Sequence, residues 1–325
     1  MNFRINTIAS VSAILLCLAG MPAQAQVGRT FVSAGAGDDG NAPNCTRAAP
    51  CRTFQVAHDN TLPLGEITVL DPGGYGAVTI TKAISIVNDG VGEAGVLVSG
   101  GATAITVNAG PSDAVNLVGL TIKGIGFGGG TGIVFNSGGS LTVENCAIRG
   151  LTVVGNAPQG HGILFQPNGS SRLAVLKTIV ADNQQDGILV QPAAAGTVRV
   201  NLKRVRLIRN RNGLSLIALS GITGATVSAT VADSLAARNS DRGFEIFSGN
   251  PTQSPVSLML IRSVAAHNGN GIIYDEANVR VGASTLFNNF NGVEGGVPTV
   301  GTYGDNNIDG NGNNGQQFLF SITKK

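Results

Sequence analysis

Three sets of side chains in this sequence are of types that do chemistry. The first is Gly160-His161-Gly162, followed by Asp182 and Asp186. An imidazole aligned with a carboxylate can transfer protons, so His161, Asp182 and Asp186 are the catalytic candidates. The second is a run of six cations with no acid among them: Arg199, Lys203, Arg204, Arg206, Arg209 and Arg211. Such a run suits an acidic polysaccharide or a phosphate. Asp182 beside Arg209, and Asp233 between Arg204 and Arg262, would neutralise part of it by ion pairs between repeats. The binding candidates are Lys203, Arg204, Arg209 and Arg262. The third set is cysteine. Cys45 and Cys51 close a short Gly/Pro/Asn-rich loop, and an oxidising compartment favours a bridge between them. No His or further Cys stands nearby at zinc spacing. Cys146 lies in an alternating segment and reads as a small buried hydrophobe. Asp38-Asp39 and Asp275-Glu276 are thin as calcium ligands, and the first reads as a solvated turn. No metal site, phosphate-binding loop or serine elbow is expected.

Those residues must be positioned by the rest of the chain. Arg4, the apolar stretch from Ile8 to Ala19 and Ala23-Gln24-Ala25 read as a secretory signal peptide over residues 1–25. The apolar run is too short for a membrane span. The expected location is therefore secreted or periplasmic. Of 325 residues, 47 are Gly, 12% are charged and 42% are hydrophobic, which excludes a disordered tail, a coiled coil and a collagen. The net charge of +2 calls for no strongly charged partner. Few aromatics, none interleaved with the cations, argue against nucleic acid.

Repeats carry most of the information. Gly followed by alternating apolar residues recurs at Gly132, Gly162, Gly187, Gly213, Gly243 and Gly271, at intervals of 30, 25, 26, 30 and 28 residues. An Asn stands three or four positions before the next Gly, at Asn183, Asn210, Asn239, Asn268 and Asn289. Counting back from each Asn aligns a second alternating run, through Val175, Leu202, Val231, Leu260 and Val281. Asn and Gly tolerate left-handed backbone, so they suit the corners between strands. One such coil cannot bury its apolar side alone, whereas stacked coils bury a continuous interior. Asn136, Gln166 and Gln191 fall at one repeat position and can bond along the stack. Val134, Leu164, Leu189, Ser215, Glu245 and Ile273 should face outward. The apolar members of that set call for a covering connection, such as Thr152 to Gln159, or for a partner.

The chain thereby resembles the right-handed parallel β-helix proteins of the pectin-lyase-like superfamily, over roughly residues 28 to 320. The fold implied is all-β, a solenoid with a short N-terminal capping helix at Arg52-Thr53-Phe54-Gln55-Val56-Ala57. A single domain would span 26–325, with an N-cap over 26–64, coils over 65–300 and a C-terminal cap over 301–325. The superfamily holds lyases, hydrolases, esterases, adhesins and proteins without a known reaction. Of the polygalacturonase-type motifs, only Gly-His-Gly is present in order, where the repeat already requires Gly162. No ordered carboxylate set accompanies it. The favoured reading is an exported, non-catalytic protein that contacts a cell-surface glycan or acidic polysaccharide. The alternative is a polyuronate lyase or polygalacturonase-like hydrolase. No cofactor is expected, except calcium if the protein is a lyase.

Overall fold

A computed structural model describes residues 27–126, 129–155, 159–297, 300–315 and 319–323. The segment 1–25 that reads as a signal peptide lies outside the described residues. Each coil runs strand, corner, strand, corner, strand, then a longer connection. In one coil these are Ser171–Leu176, Ile179–Ala181 and Ile188–Val190. The next coil repeats them as Gly196–Lys203, Arg206–Ile208 and Asn212–Ala218. First strands stack into sheet A, second strands into sheet B and third strands into sheet C. The three sheets hold 12, 10 and 9 strands among the described residues. Every strand pairing is parallel, as in Leu173 with Val200 and Ile188 with Leu214. This is a right-handed parallel β-helix, the fold that the repeats predict.

Alternation follows from the strand geometry. In Gly196–Lys203, Val198, Val200 and Leu202 point into the rod, while Arg199, Asn201 and Lys203 point out. Inward residues of all three sheets form one continuous core. Phe135 and Phe165 stack within it, with ring centroids 4.4 Å apart.

The corners explain the recurring Asn. After each sheet B strand one residue takes a left-handed conformation: Asp182, Arg209, Arg238 and His267 have φ of 59°, 55°, 57° and 59°. The next residue is the Asn. Asn183 donates through Nδ2 to Asn210 Oδ1 at 2.9 Å, Asn239 to Asn268 at 2.9 Å, and Asn268 to Asn289 at 2.9 Å. The same oxygens accept the backbone N–H of the preceding Asn. These amides are buried, so the ladder satisfies polar groups that water cannot reach. A second amide row joins Asn108, Asn136 and Gln166 on the outside of sheet C. Gln191 stands apart from it, its backbone N–H donating to the Phe165 carbonyl.

The N-terminal end is closed by helix α1 (Phe54–Asn60), capped by the Thr53 hydroxyl. Sheet A extends past this cap, because Val27–Val32 pairs with Thr61–Val69. The helix covers the first strand of sheet C, Val78–Ile80. Gln55 Oε1 accepts the Thr79 N–H and His58 Nε2 accepts the Thr81 N–H. An open strand edge is thereby satisfied by side chains. Cys45 and Cys51 are joined in a disulfide, and Cys146 is buried. Among the described residues no helix is long and apolar enough to cross a membrane. At the far end Leu319–Ser321 adds the last strand of sheet A.

Candidate functional site

The repeat aligns His161, Asp186, Asn212 and Arg242 at the entrance to sheet C. Gly162 N–H donates to the Asp186 carbonyl, Gly187 N–H to the Asn212 carbonyl, and Asn212 is the register partner of Arg242. His161 Nδ1 lies 3.1 Å from Asp186 Oδ2. The contact is at ion-pair distance and lacks hydrogen-bond geometry. Asp186 Oδ1 accepts from Asn212 Nδ2 at 2.9 Å and from the Ser215 hydroxyl. Ser215 Oγ also lies 2.9 Å from Glu245 Oε2, and Arg242 Nη1 pairs with Glu245 Oε1.

The two carboxyls are pushed in opposite directions. Burial alone would raise Asp186, but contacts from His161, Ser215 and Asn212 outweigh it and hold the carboxyl below its usual range. Burial pushes Glu245 up, and Arg242 and Ser215 only partly oppose it. One hydroxyl carries one proton, so Ser215 donates to the ionised Asp186. Separated acidities of this kind suit acid–base work. Access does not. Ser215 is 0% exposed, and Asp186 and His161 are each 7% exposed. The order is also wrong for a serine nucleophile, because the imidazole sits beyond Asp186 and not on the hydroxyl.

Asp182 belongs to a different network. It occupies the left-handed corner and forms a two-pronged pair with Arg209, Nη2 to Oδ2 at 2.8 Å. The structure therefore joins His161 to Asp186 and gives Asp182 to Arg209.

The cations divide into paired and unpaired. Arg262 pairs with Asp233 through Nε at 2.8 Å and Nη2 at 3.3 Å, and holds the Asp233 carboxyl below its usual range. Arg209 and Arg262 are thus neutralised by acids of the preceding coils. Among the described residues no acid lies within ion-pair distance of Lys203 or Arg204. Arg204 sits at the left-handed corner between sheets A and B, with φ of 56°. Arg209 lies across the short strand Arg206–Ile208, at the opposite edge of sheet B, so Arg204 and Arg209 do not form one cluster.

A pair missed by sequence reasoning lies on the outside of sheet A. Ser140, Arg172, Arg199 and Ser228 are successive register partners. Arg172 and Arg199 are stacked one coil apart, about 4.8 Å by strand spacing. Among the described residues neither forms an ion pair, and Lys203 stands on the same face four residues beyond Arg199. Both arginines line two shallow recesses of about 290 Å³ each. One has a hydroxyl-rich wall with Ser140, Ser170 and Thr197, and the other has a floor of Thr142, Ala174 and Asn201. The signal was available: Arg172 precedes Asn183 by eleven positions, as Arg199 precedes Asn210.

Neither acidic pair offers the oxygen cage a calcium ion needs. Asp39 accepts from Arg52 N, Thr53 N and the Thr53 hydroxyl, anchoring the start of α1. Asp38 accepts from Gly40 N in its own turn. Among the described residues no three His, Cys, Asp or Glu side chains converge.

The fold defines a class by architecture, the right-handed parallel β-helix. A solved structure of that fold, described as "Crystal structure of pectate lyase Pel9A", superposes with a TM-score of 0.58 at 17% identity, covering 86% of this chain and 75% of that one. At that identity the likeness carries the fold and not the activity. No family model matches the sequence, and no curated protein matches it.

Proposed function

We propose that the protein is an exported β-helix that binds an acidic polysaccharide along the outer face of sheet A, without turning it over. The observation that carries this reading is the stacking of Arg172 on Arg199 with no carboxylate partner for either. Unpaired guanidiniums at repeat spacing are suited to successive anionic groups on an extended chain. Lys203 extends the same face, while Arg209 and Arg262 are occupied by Asp182 and Asp233. The sequestered His161–Asp186–Ser215 row supports binding over catalysis, because a glycan cannot reach a buried hydroxyl and a buried carboxylate.

The test is absorbance near 235 nm while the protein meets a panel of acidic polysaccharides, with and without calcium, beside a reducing-end assay. β-Elimination forms an unsaturated uronate that absorbs there. The reading expects both assays flat while the polysaccharide co-sediments with the protein. A rise in absorbance would establish a lyase instead.

A further inference from the structure

We infer that the recess where sheet A begins, between the Arg172 and Arg199 side chains, is a site for a tetrahedral oxyanion ester, a sulfate or phosphate group carried on a glycan. This rests on the glycan-binding reading above and names the group it recognises.

The recess is built from four successive coils. Ser140, Arg172 and Arg199 form one row in the first half of their strands. Ser170 precedes the second of these strands, Thr197 lies near the start of the third, and Pro111 and Ser112 form the opposite wall. Gly139 makes that wall possible. A Cβ there would lie 2.8 Å from the Ser112 backbone, so only glycine lets the earlier coil approach this closely.

The hydroxyls are not equivalent. Ser171 Oγ donates its proton to the Gly138 carbonyl, so it has none to offer. Ser170 Oγ accepts from Thr197 N at 3.0 Å, which leaves its proton free to donate. Ser140 Oγ is committed to no protein group. The nearest acid in sequence, Asp113, turns its carboxylate to Gly110 N and holds its own turn. The recess therefore presents two guanidiniums and free hydroxyl donors with no negative charge among its lining residues.

The donor directions select the ligand. The lone pairs of a carboxylate lie in one plane, and two planar guanidiniums saturate them. The hydroxyl wall would then have no acceptor. A sulfate or phosphate ester points oxygens in three directions, so two oxygens meet the arginines and a third meets Ser140 and Ser170.

Dextran sulfate, dextran phosphate and carboxymethyl dextran of matched charge share one backbone and differ in the anion. Binding of each to the full protein is measured by affinity electrophoresis, for the wild type, S140A and S140A/S170A. The inference expects tighter binding of the sulfate or the phosphate than of the carboxymethyl polymer. It also expects about a tenfold loss of that advantage in S140A/S170A, the size of one hydrogen bond to a charged group. S140A removes no internal hydrogen bond and guards against a folding artefact. Preference for sulfate over phosphate, or the reverse, identifies the ester. Equal binding of all three polymers overturns the tetrahedral site and leaves glycan binding standing. Binding of none overturns the glycan reading itself.

Discussion

Arg172 and Arg199 are register partners on adjacent coils of sheet A, and neither guanidinium meets a carboxylate. Elsewhere on this rod Arg209 and Arg262 are drawn into ion pairs with the preceding coil, by Asp182 and Asp233. Like charges stacked at strand spacing repel and lower stability slightly. A bound anion would relieve that repulsion. Replacing Arg199 with Ser should therefore leave the melting temperature unchanged or raise it by a degree or two, consistent with a few tenths of a kcal/mol. Differential scanning calorimetry at low salt checks this. A fall of several degrees would mean that Arg199 has a structural role.

The Asn ladder is the strongest internal support of the corners. Asn210 is 2% exposed, accepts from Asn183 and donates to Val180 O. Asn210→Ala would strand the Asn183 backbone N–H, the Asn183 side-chain amide and the Val180 carbonyl. The expected cost is about 3–5 kcal/mol, from three buried groups that lose a partner. Urea unfolding followed by circular dichroism measures it. Asn311→Ala, near the open end and only partly buried, should cost clearly less.

His58 makes the N-terminal cap sensitive to pH. Its Nε2 accepts the Thr81 N–H, which places the ring proton on Nδ1 beside Asp59. Burial, opposed by Asp59, leaves the imidazole below its ordinary value of 6.5. The folded state thus binds the proton less readily than the unfolded one. The contribution to stability is complete above pH 6.5 and is lost as pH falls through the lower folded value. Exchange of the Thr81 amide should accelerate between neutral and mildly acid pH, ahead of the core strands. A rate that tracks only the intrinsic pH dependence would refute this.

Asp186 follows the same logic with a carboxylate. Its pKa is lowered in the fold, so its contribution is present above the ordinary carboxylate range and lost as pH falls through the folded value. Asp186→Ala should destabilise by about 1–3 kcal/mol, because the Ser215 hydroxyl and the Asn212 amide lose their nearer acceptor and are left with Glu245 alone. Retention on an acidic polysaccharide should be unchanged at a temperature where the variant is folded. Lost retention in a folded variant would move the site to sheet C.

Cys146 should be silent in the native protein. It is 4% exposed, and burial pushes its thiol up to about 11. A thiol reagent at neutral pH should label it only at the rate of unfolding. Rapid labelling under native conditions would show that the coil around Leu120 opens.

Much of the fold was legible because every coil states it again. Gly162, Gly187 and Gly213 stand where a Cβ would meet the backbone oxygen of the next coil, at 2.5, 2.8 and 2.4 Å. The Asn ladder demands one residue type at one place per turn. The cap was legible from the amphipathic run beginning at Arg52, although the Val27–Val32 strand was hidden within a stretch read wholly as cap. The site was harder to read. Arg209 and Arg262 stood out in sequence, yet they are neutralised through corners 27 and 29 residues away. Arg172 is an isolated cation in sequence and acquires meaning only when stacked on Arg199. Ser215 was expected on the outer face and faces outward in register, but the polar row around it excludes solvent.

The central claim is that sheet A holds the glycan. The direct measurement compares the salt needed to elute two double variants from an immobilised acidic polysaccharide. The account predicts that Arg172→Ser with Arg199→Ser elutes far earlier than the wild type, while Arg209→Ser with Arg262→Ser elutes close to it. Equal early elution of both would show only a diffuse dependence on charge. Early elution of the second pair alone would contradict the account and assign the ligand to the corners flanking sheet B.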